Sequence, residues 1–187
     1  MGVCLINKNL TKATSCAYSL PKIVELYLAN FGEVTATTLT ENKQEVASVT
    51  LASNAEWYKV EPAINSASFS DNLAVGGSGN KYRIHTLGFS YSSAYDADMV
   101  DTVDALSLGK YIAVARMADG SYLMFGRNVG LEADADGVNN TGSGDATAEG
   151  GLVVSLTANT LEAALPLASA AVTALLGNVH SDTQVGG

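Results

Sequence analysis

The chain has 187 residues, 47% of them hydrophobic and only 16% charged, with a formal net charge of −9. That length suits one well-packed domain over 1–187, undivided by any Pro- or Ser-rich linker, and the acidic balance excludes the basic patch that phosphate contacts require. A charged fraction below the roughly one quarter usual in globular domains points to an outside partly covered by copies of the same chain.

The charge is unevenly placed. Residues 1–90 hold seven bases and seven acids, whereas the remainder holds three bases and twelve acids and so carries the whole net charge. No sequence-specific nucleic-acid binding is expected of such a chain. It has no apolar run of about 18 residues, and Met1 is not followed by the basic-then-apolar build of a secretory signal, so neither membrane contact nor export is expected.

Residues 1–21 read as a polar N-terminal arm in which Asn7, Asn9, Thr11, Thr14 and Ser15 favour turns. Its two cysteines, Cys4 and Cys16, have no second pair or nearby His to complete a zinc site. Free thiols are expected in a reducing cytosol; a bridge closing a short loop is the alternative. Lys22 to Asn30 suits a strand, although Ile23, Leu26 and Tyr27 also fit one helical face, and Phe31-Gly32 breaks either. Short strands follow over Val34–Thr40, Glu45–Leu51 and Glu56–Glu61, a spacing that argues for a sandwich or barrel.

Residues 65–81 form an extended hairpin arm with a glycine tip at Gly76-Gly77-Ser78-Gly79. Its Phe69, Leu73 and Val75, with Gly77 and Gly79, are the candidate interface residues. Tyr82 to Tyr91 alternates strictly, opposing Tyr82, Ile84 and Thr86 to Arg83, His85 and Leu87, and Gly88 permits a bulge. Between Ser92 and Gly109 a short helix is predicted near 97–108. Asp96 or Asp98 can cap it, Met99, Val103 and Leu106 recur along one face, and Gly109 stops it.

The clearest structural grammar is the hairpin that comes next. Tyr111 to Met117 and Tyr122 to Gly126 flank Asp119-Gly120, a pair suited to the left-handed conformations of a tight turn. Both arms are apolar at nearly every position, which predicts protein on both faces. Residues 134–151 read as an acidic glycine-rich loop and Leu152 to Thr157 as a further strand. The stretch from Leu161 to Leu176, interrupted by Pro166, suits either a short helix from Leu167 ending at Gly177 or a strand pair. The fold class expected is mainly β, an antiparallel sandwich or barrel with one short flanking helix.

Chemistry-bearing motifs are few. Glu132-x-Asp134-x-Asp136-Gly137, with Asn140 beyond, resembles the first half of a calcium loop. Its first position is Glu, however, and its twelfth is Ser143 where a bidentate Glu belongs, so an acidic surface loop is the ordinary explanation. His85 and His180 are the two histidines; His85 has no Ser, Cys or acid adjacent in sequence, and no Gly-x-Ser-x-Gly or His-Glu-x-x-His pattern occurs. The glycine tip lacks the Lys-Ser/Thr of a phosphate loop. No catalytic residues and no cofactor are expected.

The order of parts, with Tyr82 to Tyr91, the acidic helix before Gly109 and the hairpin from Ile112 to Gly126, resembles the tail tube proteins of long-tailed bacteriophages. It is similar also to the inner tubes of contractile injection systems. That resemblance covers roughly residues 22 to 158 and implies a virion structural protein without enzymatic activity. It would be assembled in the host cytoplasm into hexameric rings, stacked with copies of itself and other tail proteins into a conduit for DNA, with the 65–81 arm reaching a neighbouring ring. A head decoration, neck or tail-ring protein is the nearest alternative, and a surface or fimbria-like β-sandwich binding module the more distant one.

Overall fold

The computed structural model describes residues 22–42, 44–91, 97–141 and 151–181. The N-terminal arm with Cys4 and Cys16, the cap candidate Asp96 and residues 142–150 lie outside them. The strands are β1 (Ile23–Asn30), β2 (Val34–Leu39), β3 (Val46–Leu51), β4 (Tyr58–Val60), β5 (Ser68–Val75), β6 (Lys81–Tyr91), β7 (Lys110–Met117), β8 (Tyr122–Phe125), β9 (Leu131–Thr141), β10 (Gly151–Thr160) and β11 (Leu165–Pro166). The helices are α1 (Ala97–Leu108) and α2 (Ser169–Leu176). The fold is mainly antiparallel β and sandwich-like, as its pattern of short strands predicts.

Nine strands form one hydrogen-bonded sheet in the order β11-β8-β7-β9-β10-β6-β5, with β1 joining β7 and β4 joining β1. The sheet turns a corner at β7. Along one edge β7 pairs with β8 through Ala113 to Arg116 and with β9 only at Lys110 and Tyr111, while its other edge pairs with β1. The β4-β1-β7-β8 part therefore lies against the β9-β10-β6-β5 part. Leu26, Leu28, Ala113, Ala115 and Phe125 meet Leu87, Phe89, Leu131, Leu152, Val154 and Leu156 in one core.

A second core lies on the other side of the same strands. Because successive side chains of a strand point to opposite faces, Tyr27, Ala29, Ile112, Val114 and Met124 alternate with the first set. They pack against Val46, Trp57, Leu167, Ala171 and Leu175, with half-buried Val34, Leu39, Val49 and Leu51 of the separate β2–β3 pair. Strand β7 is thus apolar at almost every position because both of its faces are covered. Gly120, at φ +86°, makes the turn between β7 and β8, as the Asp-Gly pair predicts.

The stretch left open between helix and strand contains both. Leu165 and Pro166 pair with Met124 and Leu123 at the edge of the sheet, where proline's missing N–H is tolerated, and α2 then buries Ala171 and Leu175 and ends at Gly177. In α1, Leu106 is buried and Val103 packs beside it against the first core.

Two expectations require correction. Gly88 forms no bulge: it continues the ladder opposite Ser155, because β10 stays in register through it, and on its other side it faces Ser68, the first residue of β5. Residues 134–141 are not loop but part of β9. The irregularity the sequence suggests there is a bulge: Ala133 faces Leu156 and Val138 faces Val154, leaving Asp134 to Gly137 opposite Ser155 alone. A Cβ on Gly137 would stand 2.7 Å from the Ser155 carbonyl oxygen and from the Asp134 nitrogen, so only glycine fits the crossing.

Candidate assembly surface

The hairpin of β5 and β6 has one end inside the protein and one end in solvent. Its tip is closed by the Gly76 N–H donating to the Asn80 carbonyl and the Gly79 N–H to the Gly76 carbonyl, each at 2.8 Å. Phe69 stands opposite Leu87, Asp71 opposite His85, Leu73 opposite Arg83 and Val75 opposite Lys81. These directly paired residues share a face. At the body end that face enters the first core, where Leu87 is buried and Phe69 rests on Phe125 with ring centroids 5.2 Å apart. Towards the tip the same face leaves the core, and Leu73 and Val75 are 61% and 60% exposed.

Strand β5 is also the last in the sheet, so its outer edge has no strand partner among the described residues. Soluble sheets usually guard such an edge with Lys, Pro, a bulge or great shortness. Here eight residues, Ser-Phe-Ser-Asp-Asn-Leu-Ala-Val, contain neither Lys nor Pro and run in unbroken register. Their single charge is turned inward. The Arg83 Nε donates to Asp71 Oδ1 at 2.5 Å, its Nη2 donates to the Asp71 carbonyl at 3.0 Å, and the Ala164 N–H donates to Asp71 Oδ2 at 3.0 Å. Of the five candidate interface residues, then, Leu73, Val75, Gly77 and Gly79 lie exposed along the outer half and tip, while Phe69 is shared between the surface and the core.

At the root of the hairpin sits His85, 1% exposed, with Nε2 3.5 Å from Asp71 Oδ1 and neither ring nitrogen in a hydrogen bond. Its ring stands edge-on to Phe125. Burial pushes its pKa below the usual histidine value, against the pull of Asp71 and Glu162. Asp71 is held below the usual carboxylate range: burial would raise it, but the Arg83 hydrogen bond, the Ala164 N–H and the nearby positive charges outweigh that. Nothing next to His85 in sequence marks this cluster. The hairpin arithmetic does: once the tip is set between Val75 and Lys81, counting back four residues on each side pairs Asp71 with His85.

The calcium-loop candidates are dispersed to separate partners. Glu132 forms an ion pair with Lys110 across the β7–β9 pairing, and Asp134 accepts the Thr157 hydroxyl at 2.9 Å. Asp136 caps the bulge, its carbonyl accepting from Asn139, and Asn140 stands opposite Leu152 in the ladder. Among the described residues no three His, Cys, Asp or Glu side chains gather as a metal ion would require.

Three other polar clusters tie elements together. Glu25 accepts from Arg116 at 2.9 Å and from the Tyr27 hydroxyl at 2.9 Å and pairs with Lys59 at 3.0 Å. Burial would raise its pKa, yet those three partners bring it down to about 2. Arg127 grips Glu162 through two nitrogens and Thr37 through the third, joining β2 to the turn after β10. His180 pairs with Glu56 and lies beside Tyr58, fastening the segment after α2 to the residues around Trp57. Each of these clusters links one strand or turn to another, and none aligns a nucleophile with a base.

No family model, curated protein or solved structure matches this chain.

Proposed function

We propose that this protein is a structural subunit that assembles with copies of itself into rings stacked as a tube, in the manner of a phage tail tube. In this reading it belongs to a virion assembled in the host cytoplasm and forms a conduit for DNA together with other tail proteins. The observation that carries the proposal is the unguarded outer edge of β5 together with Leu73 and Val75 exposed beside it. A free monomer would present both a template for strand pairing and an apolar strip next to it, and a neighbouring copy can cover both at once.

The distribution of acid supports the conduit. Helix α1 lies against β9, and Asp101, Asp104, Glu132, Asp134 and Asp136 are exposed on these two neighbouring elements. An acidic wall lets a polyanion slide without binding it. The order of strands that prompted the family resemblance gives independent support.

Size-exclusion chromatography with light scattering, followed by negative-stain microscopy, tests the proposal. Ring-shaped particles that stack are expected. Closed rings that never stack would assign the subunit to a neck or decoration role, and a persistent monomer of 19.3 kDa at high concentration would overturn self-assembly in favour of a surface binding module.

A further inference from the structure

The buried His85 has no part in the assembly edge just described, and its surroundings are unusual for an imidazole. Both nitrogens are buried without a hydrogen bond, although a neutral ring carries one donor and one acceptor. The ring instead fills an apolar slot, edge-on to Phe125 at 5.7 Å between centroids and 86° between planes. It stands opposite Ala158 on β10 and Asp71 on β5.

An imidazolium in the same slot would need two acceptors; the Glu162 main chain favours the charged ring without outweighing its burial, and the Asp71 carboxylate, 3.5 Å away, is already engaged. Asp71 Oδ1 takes the Arg83 Nε–H and Oδ2 takes the Ala164 N–H. The charged groups facing the ring from every packed element are Asp71 of β5, Arg83 of β6 and Glu162 of the turn after β10, and Glu162 is bound in turn by Arg127. The β8 side offers only the Phe125 ring. Two carboxylates and two guanidiniums cancel, so a proton on His85 adds a buried charge with no counter-charge of its own.

We propose that His85 is a proton-operated latch at the root of the β5–β6 hairpin: the neutral ring seats β5 on β8, and uptake of one proton from solvent unseats it. The place is suited to local opening. Away from β6, β5 meets the body through Phe69 on Phe125 and through the Ala164 N–H on Asp71, and its outer edge has no strand partner among the described residues. Lifting it leaves the β1–β7–β8 layer intact. The latch concerns how the hairpin is held by its own subunit and does not depend on what the hairpin's outer edge binds.

Two measurements on the full chain test this, in whatever oligomeric state it holds. In an NMR titration of the imidazole rings, His85 is expected to titrate below the ordinary value of 6.5. Hydrogen exchange, corrected for the intrinsic pH dependence of the chemistry, is expected to show opening of β5 rising between pH 7 and pH 5. Linkage bounds that rise at about 25-fold for a histidine of ordinary unfolded pKa that stays neutral when seated. Amides of β7 should not follow. His85→Leu, of similar volume and unable to titrate, should abolish the acid-induced opening. A ring titrating at 6.5 or above, an equal rise in β7, or a rise that persists in His85→Leu would each overturn the latch. If the variant does not fold, the wild-type titration and exchange map decide.

Discussion

The β7–β8 and β5–β6 hairpins are built from the same grammar, two apolar-rich strands and a glycine turn, and end in opposite environments. The first lies in the middle of the molecule with a core on each face. The second has a core on one face at its root and solvent beyond, with an edge that no strand among the described residues pairs. What separates them is how consistently they are apolar. Lys110 to Met117 gives both faces something to bury, whereas β5 and β6 interpose Ser, Asn, Arg and Lys, so only one face can be covered and only part of the way. A hairpin that the subunit covers completely stabilises it, and a hairpin covered by half leaves the surface on which the proposed assembly rests.

Phe125 is where the two meet, since it belongs to β8 and supports both Phe69 and His85. Phe125→Ala should therefore show the largest effect, a loss of about 3–5 kcal/mol in urea denaturation. A loss below about 1 kcal/mol would mean that the hairpins are not packed through this ring. Gly120→Val tests the central turn alone. An added Cβ meets no atom within 4 Å, so the strain of φ +86° dominates, and a loss of about 1–2 kcal/mol is expected. Indifference to that change would show that the turn is relaxed by a different route.

Glu25, which ties β1 to β7, gives the comparison a pH axis. Its folded pKa of about 2 lies below the ordinary 4.5, so its contribution is present in full above 4.5 and is lost as the pH falls towards 2. Glu25→Gln should remove that part of the acid slope and, at neutral pH, lower stability by roughly 1 kcal/mol. An unchanged acid profile would place the sensitivity in other carboxylates. Smallest in the subunit is the effect expected of Leu73→Ser with Val75→Ser: within about 0.5 kcal/mol in stability, since both side chains are already exposed. The same pair should markedly lower the assembled fraction in light scattering. If assembly is undiminished, the apolar strip beside β5 is not the contact surface.

Much of this was legible from residues alone, and for definite reasons. The Asp119-Gly120 turn, the two-faced burial of β7 and the helix ending before Gly109 follow from local conformational preference and periodicity, which act over a few residues. The root of the outer hairpin was half legible. His85 looked solitary because its partner, Asp71, lies fourteen positions away, and only the hairpin register brings the two together. Illegible were the bulge at Asp134 to Gly137 and the dispersal of its acids. Spacing that suits a calcium loop also suits a strand that must absorb extra residues against Ser155, and β10 decides between them.

Sequence by itself determined the predominance of short strands, the Asp119-Gly120 turn, the location of α1 and the surplus of acid after residue 90, since each is set by side-chain chemistry within a short window. Tertiary structure alone decided that β7 joins two halves of a folded sheet, that β5 is left at its edge, and that a histidine with no Ser, Cys or acid adjacent in the chain is buried beside a carboxylate already held by arginine. Those outcomes depend on which strands pair across long stretches of chain. Pairing of that kind is governed by how two complete faces fit, a quantity that no short run of residues contains.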